Sequence, residues 1–222
     1  MKMFSDKFWE KNKHILFEKS GDIIGLNKTK VIYYNLMPFV FKDVRRVFDH
    51  SAEEIAELLN YYTEYWNLGS NEWQKIAYIA KAVNNRLTYE FDSTNWKAVE
   101  YWARPIETHR RKIDDCDGYA NLITYVLRLF GVMPNRVFTA VGKVNMPNGT
   151  VGYHAYTIIL DITKSKGFRF FPLEGSMYPD LCMRNFLNKS KDLKLNEVYH
   201  APDWLTNDEV SYANTRWFKL VK

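Results

Sequence analysis

Cys116 stands in Asp114-Asp115-Cys116-Asp117-Gly118-Tyr119, immediately ahead of the apolar run Leu122, Ile123, Val126, Leu127, Leu129 and Phe130. A cysteine attacks as its thiolate, and an ordinary thiol, with a pKa of about 8.5, holds only a few per cent of that form at neutral pH. A helix start favours an anion through its unpaired N–H groups and the positive end of its dipole. His154, in Gly152-Tyr153-His154-Ala155-Tyr156, and Glu174, in Phe171-Pro172-Leu173-Glu174-Gly175-Ser176, follow in separate strand-like segments. Cysteine, histidine and acid in this setting suit a nucleophile, a base, and a group that fixes the tautomer of the base. The three aspartates act against the thiolate unless they point away or are paired. They read as capping and loop-holding residues.

Each residue also has a bland reading. A lone cysteine before an apolar helix is usually a small buried residue, a lone histidine in a strand a satisfied polar group, and a glutamate before glycine a turn residue. Order and placement together set the three apart.

The elements that must hold them can be read from spacing. Asp22 to Leu26 and Lys30 to Tyr34 are β-like runs around Asn27-Lys28-Thr29 and suggest a hairpin. Ser51-Ala52-Glu53-Glu54 has capping-box spacing, and Ile55, Leu58, Leu59 and Tyr62 recur at helical intervals up to Gly69. Asn71-Glu72-Trp73-Gln74 repeats the signal for a second helix, with Trp73, Ile76, Ala77, Ala80 and Val83 on one face, ending near Asn84-Asn85. Leu87 to Phe91 reads as extended. Trp96 to Trp102 reads as a third helical piece that must end by Arg104, ahead of Pro105.

From Asp117 to Phe130 the pattern is that of a buried helix, stopped by Gly131. Beyond Pro134 it changes to strands over Arg136 to Val144, Val151 to Asp161 and Gly167 to Leu173, with a hairpin at Pro147-Asn148-Gly149. Thr206-Asn207-Asp208-Glu209 is another capping-box pattern, and Trp204, Tyr212, Trp217 and Phe218 are expected to pack back onto the core. Helices followed by an antiparallel sheet make an α+β fold, with the helix of Cys116 packed on the sheet.

Bulk composition narrows the classes. The 222 residues are enough for one domain with a sizeable core, and 46% hydrophobic with 26% charged residues is globular composition, so disorder is not expected. The formal charge of +5 is spread in short clusters such as Arg110-Arg111-Lys112, without a zinc-finger or RNA-recognition signature, so nucleic acid is not the expected partner. The sequence has no apolar run of about 18 residues and no charged-then-apolar leader. A membrane is therefore not an expected partner either, and a cytoplasmic location is expected, with a virion component as the alternative. With two cysteines, Cys116 and Cys182, a structural disulfide is not expected. The five histidines and two cysteines give no zinc spacing, Asp114 to Gly118 lacks the alternating ligands of a calcium loop, and no phosphate loop is present, so neither metal nor cofactor is expected.

Over about residues 72 to 178 the sequence resembles the transglutaminase-like superfamily of papain-fold thiol enzymes. Trp102-Ala103-Arg104-Pro105-Ile106-Glu107-Thr108 looks like the element upstream of the nucleophile, and Asp115-Cys116-Asp117-Gly118-Tyr119-Ala120 like the nucleophile motif. Leu127 to Val132 with Arg136-Val137 looks like its continuation, and Tyr153-His154-Ala155-Tyr156 like the histidine strand. Two positions depart from the pattern. Leu173-Glu174-Gly175-Ser176 carries glutamate where the family has aspartate, and Asp114 replaces a frequent glycine.

The resemblance implies a papain-like core over 71–180, flanked by an N-terminal extension over 1–70 (hairpin plus helix) and a C-terminal extension over 181–222 that packs on the core. It implies a cysteine hydrolase or acyltransferase with catalytic Cys116, His154 and Glu174, forming an acyl-enzyme from a protein or peptide substrate and passing the acyl group to water or an amine. The backbone N–H of Cys116 is one candidate oxyanion donor. Trp102, in the upstream element, is a candidate for the second, and Gln74 another, although its capping position favours a structural role. The alternative is a catalytically weak or inactive version of the fold used as a binding or structural module in a phage or bacterial assembly.

Overall fold

Two capping motifs set the helical half in place. α1 (Ala52–Leu68) opens with a reciprocal box, in which the Glu54 N–H donates to Ser51 Oγ at 3.3 Å and the Ser51 N–H to the Glu54 carboxylate at 2.9 Å. α2 (Glu72–Arg86) opens at Asn71, whose side chain accepts from the Gln74 N–H at 3.1 Å. Gln74 Oε1 in turn accepts from the Ser70 N–H at 2.9 Å, so this side chain is engaged at the helix start. At Gly69 a Cβ would stand 2.8 Å from the Lys75 Cα, so only glycine lets the two helices turn so tightly.

The protein is described as a computed structural model, which covers residues 23–26, 31–34, 40–42, 47–97, 101–146, 148–161, 169–177, 179–188, 199–209, 211–214 and 218–221. β4 (Thr88–Tyr89) follows α2 and pairs in parallel with β5 (Ile113–Asp114). Between them lie α3 (Asp92–Asn95) and α4 (Pro105–Arg111). The helical piece expected over Trp96 to Trp102 is not found in its described residues: Trp96 caps α3 and Lys97 is left-handed at φ 57°. Pro105 begins a helix instead of merely ending one. Its ring fixes φ near the helical value, and its missing N–H costs nothing in the first turn. α4 stops at Lys112 in the left-handed conformation, which turns the chain into β5.

α5 (Cys116–Leu129) is the central helix. It ends in a Schellman pair, the Gly131 N–H donating to the Arg128 carbonyl and the Val132 N–H to the Leu127 carbonyl, both at 3.0 Å, with Gly131 at φ 86°. Leu122, Ile123, Val126 and Leu127 pack with Leu58 and Tyr62 of α1, with Ile76, Ile79 and Val83 of α2, and with Phe171 and Leu173, in one core.

Among the described residues the main sheet has six antiparallel strands in the order β1 (Ile23–Leu26), β10 (Ser211–Asn214), β9 (Tyr199–Thr206), β6 (Val137–Asn145), β7 (Val151–Asp161) and β8 (Arg169–Leu173). β6 (Val137–Asn145) and β7 (Val151–Asp161) form the expected hairpin, with Gly149 at φ 81° and the Met146 N–H donating to the Thr150 carbonyl at 2.7 Å. β8 (Arg169–Leu173) pairs with β7, and the neighbouring α6 (Pro179–Asn188) places Phe186 in the core. α5 lies on β6 and β7. Thr157 Oγ1 donates to the Ala120 carbonyl at 3.1 Å, and Thr139 Oγ1 to Thr124 Oγ1 at 3.1 Å. The fold is therefore α+β, with the helix of Cys116 packed on an antiparallel sheet.

The flanking segments supply strands to two sheets. β9 (Tyr199–Thr206) pairs directly with β6, and β10 (Ser211–Asn214) with β9. β1 (Ile23–Leu26) closes that edge of the sheet against β10. β2 (Val31–Tyr34) pairs instead with β3 (Val40–Lys42) and β11 (Phe218–Val221) in a second sheet. The two N-terminal strands expected to form a hairpin thus enter different sheets, because strands from the far end of the chain take the pairing edges. The pattern at Thr206 to Glu209 opens no helix. Asn207 Nδ2 donates to the Pro134 and Val137 carbonyls at 2.6 and 2.9 Å, and its Oδ1 accepts from the Glu209 N–H, so the segment is a turn tied to the sheet. Among the described residues no helix is long and apolar enough to cross a membrane.

Candidate active site

Asp115 is the N-cap of α5, with its side chain accepting from the Asp117 N–H at 3.3 Å, so Cys116 is the first helical residue. Cys116 is half-buried, Cys182 is buried in α6, and the two are not joined in a disulfide. Asp114 is fully buried and holds the turn from beneath. Its carboxylate accepts from Thr108 Oγ1 at 2.5 Å, Trp96 Nε1 at 3.1 Å and the Asp115 N–H at 3.1 Å. Burial pushes its pKa up to about 6, against the downward pull of those three donors and with a further upward push from Asp115. A Cβ at Gly118 would stand 2.6 Å from the Asp114 Cβ, so glycine is needed there to seat this carboxylate under the first turn.

His154 and Glu174 meet because of strand register. Leu173 is opposite Thr157, so the next residue of the antiparallel pair, Glu174, falls beside Tyr156 and diagonal to His154 on the same face. His154 Nε2 lies 2.6 Å from Glu174 Oε2, with the two residues 6% and 2% exposed. A carboxylate only accepts, so Nε2 carries the proton and Nδ1 is left as the basic nitrogen. The other carboxylate oxygen, Oε1, accepts from the Gly175 N–H at 2.9 Å, the Ser176 N–H at 2.8 Å and Ser176 Oγ at 3.0 Å. The Glu174 carboxylate is thus held at both oxygens.

The segment carrying Glu174 abuts the first turn of α5. Asn84 Nδ2 of α2 donates to the Glu174 carbonyl at 3.1 Å, and a Cβ on Gly175 would come within 2.8 Å of the Tyr119 Cβ. Electrostatics places the same groups near one another. The Tyr89 phenol is pushed upward first by burial and then by its titratable neighbours Cys116, Asp115, Asp117 and Glu174. Tyr119 is pushed up to about 12 by burial, with Asp114 and Glu174 adding to it.

Trp102 precedes α4 in the chain. Its indole stacks on the buried Trp204 of β9 at 4.7 Å and 22°, joining the upstream element to the C-terminal strands. Several residues that hold the site were not singled out from sequence: Ser176 and Asn84 around Glu174, and Thr108 and Trp96 around Asp114. The Glu-Gly-Ser turn was the available signal for Ser176, since a serine two residues after a carboxylate can close a local ring.

Folding also assembles acids that sequence spacing kept apart. Asp92, Asp114 and Asp115 each bring one carboxylate oxygen within 4.8 Å of the others, and Asp115, Cys116 and Asp117 form an overlapping set. Either group could hold a cation. The expectation of no metal ligands rested on linear spacing, and Asp92 joins the cluster only through α3 and the β4–β5 pair.

No family model and no curated protein sequence matches this chain. Among solved structures, the chain is similar to Legionella pneumophila LapG at 13% identity and a TM-score of 0.48, over 77% of this chain and 83% of that one. It is similar to the EGTA-treated form of LapG at the same identity and score, over 77% and 81% of the two chains. For calcium-bound LapG the values are 14% identity, a TM-score of 0.43, and coverage of 72% and 87%.

Proposed function

We propose that this chain is a thiol enzyme of the transglutaminase-like kind, acting on an amide or peptide carbonyl of a protein or peptide substrate through Cys116, His154 and Glu174. The observation that carries the reading is the buried 2.6 Å bond between His154 Nε2 and Glu174 Oε2, held on a segment that abuts the helix turn opened by Cys116. In this reading His154 Nδ1 takes the thiol proton, and Cys116 Sγ attacks the carbonyl carbon. The backbone N–H of Cys116, in the first turn of the helix, supports the oxyanion. Collapse breaks the C–N bond, and the leaving amine takes the proton from His154. Water or a second amine then attacks the thioester, gives its proton to Nδ1, and the thiolate leaves. Glu174 stabilises the imidazolium present in each half of the cycle.

One observation favours the alternative, a fold kept for binding without turnover: Asp117 lies buried in the first turn beside the thiol, where a carboxylate opposes the thiolate. One experiment separates the two readings. The protein is mixed with peptide thioesters and activated esters and followed by intact mass, then chased with water or a small primary amine. The enzyme reading predicts an acyl adduct that maps to Cys116 and is released by one of the two. No adduct on Cys116 with any acyl donor would favour the binding module.

A further inference from the structure

β4 presents an aromatic face next to the candidate nucleophile. The Thr88 N–H donates to the Lys112 carbonyl at 2.9 Å and the Glu90 N–H to the Asp114 carbonyl at 3.0 Å. In a parallel pair this turns the N–H and C=O of Tyr89 toward the opposite edge, away from β5. Tyr89 is paired in register with Asp114, two residues before Cys116. Its ring meets that of Phe91 edge to face at 5.5 Å and 83°, and lies 6.4 Å from the ring of Tyr119 in the first turn of α5. Tyr89 is 41% exposed and Phe91 66% exposed. Two large rings in mutual contact are thus kept in water on the flank of the Cys116 turn. The Phe91 backbone is fixed independently, its carbonyl accepting from the Thr94 and Asn95 N–H groups at 2.9 and 3.0 Å.

We propose that Tyr89 and Phe91 form the subsite that takes an apolar side chain, aromatic or branched aliphatic, of an extended peptide whose carbonyl is presented to Cys116. This rests on the thiol-enzyme reading above. The outward N–H and C=O of Tyr89 bond the peptide main chain as an added strand does, and the two rings bury its side chain. The negative charges of Asp115, Asp117 and Glu174 reach the Tyr89 phenol, so an acidic side chain at the same position is repelled. Discrimination between a well-filled and an empty apolar subsite is about tenfold to a hundredfold.

The test uses peptidyl electrophiles that differ only at the side chain next to the reactive carbon: Phe, Leu, Ala, Asp or Lys. Cys116 labelling is followed by intact mass on the full chain, and each variant is normalised to its own iodoacetamide rate. The Phe and Leu probes are expected to label at least tenfold faster than the Ala probe, with Asp slowest. Phe91→Ala is expected to compress the Phe-to-Ala ratio to about threefold or less, and Tyr89→Ala to do the same. Phe91→Leu, which keeps an apolar surface, should retain most of the ratio. Labelling of Cys116 without side-chain preference, or a preference that survives both alanine variants, overturns the subsite and leaves the enzyme reading standing. If no peptidyl probe labels Cys116 while iodoacetamide does, the enzyme reading fails and the subsite falls with it.

Discussion

Two buried imidazoles in this molecule have opposite surroundings. His154 is 6% exposed and bonded to a carboxylate, whereas His109 of α4 is 3% exposed and lies against a guanidinium. Arg86 Nη2 stands 3.3 Å from His109 Nε2, and Tyr62 Oη stands 3.4 Å from His109 Nδ1. Arginine only donates, so Nε2 accepts, Nδ1 carries the proton, and the ring is held neutral. Burial first, and the Arg86 charge second, push its pKa down to about 4. The cation over Tyr61 at 4.2 Å is the same guanidinium, so this histidine is one layer of a packed aromatic and arginine stack. Burial alone therefore does not make a base. The two buried rings differ in the charge set against them, a guanidinium at His109 and a carboxylate at His154.

Substitutions can break or sharpen that contrast. The largest effect is expected from Cys116→Ser, which should cut acyl-adduct formation by at least about a thousandfold with the fold intact, as measured by intact mass and circular dichroism. Next, Glu174→Gln keeps the shape and can still accept from Gly175 and Ser176, but it removes the anion beside His154. The rate of adduct formation should fall roughly tenfold to a thousandfold. In a His154→Ala background the same change should cost little more, because residues acting as one unit are not additive.

His109→Gln should leave the acylation rate near wild type and show itself in stability. The folded pKa of His109 lies below the ordinary 6.5. As pH falls through about 6.5, the unfolded chain therefore binds a proton that the folded chain refuses. Stability contributed by the neutral ring is complete above about pH 6.5 and is lost progressively down to about pH 4, by on the order of 3 kcal/mol. Urea melts between pH 7 and pH 4 should show this slope in wild type and a flatter one in the glutamine variant. The smallest effect is expected from Ser176→Ala, which removes one hydroxyl donor from Glu174 Oε1 and leaves two N–H donors. A loss of about 1 kcal/mol, or less than tenfold in acylation rate, should be read from progress curves.

The two histidines also mark what was legible in the sequence. The helix of Cys116 could be read because its signals are local: Asp115 ahead of the thiol, an apolar run at helical spacing, and Gly131 as the stop. The β6–β7 hairpin was equally local, through Asn148-Gly149. The contact between His154 and Glu174 depends on a register between β7 and β8 that no single segment encodes, and only the chain order of the residues hinted at it. His109 gave no signal, since its stack is built from α1, α2 and α4. In its described residues the helical reading of Trp96 to Trp102 gives way to a cap at Trp96 and a left-handed Lys97, while Pro105 opens α4. The two outer strands Ile23–Leu26 and Phe218–Val221 show the same limit at the largest scale, since each finds its partner from the opposite end of the chain.

The contrast between the two rings converges on whether His154 serves the thiol of Cys116. The rate of Cys116 alkylation by iodoacetamide, followed by peptide mass mapping from pH 5 to pH 9, measures this directly, with buried Cys182 as the internal reference. Wild type is predicted to label at Cys116 nearly as fast at pH 6 as at pH 8, and His154→Ala to restore the steep rise of an ordinary thiol toward about pH 8.5. A wild-type profile that already rises like an ordinary thiol, and that His154→Ala leaves unchanged, would contradict the account.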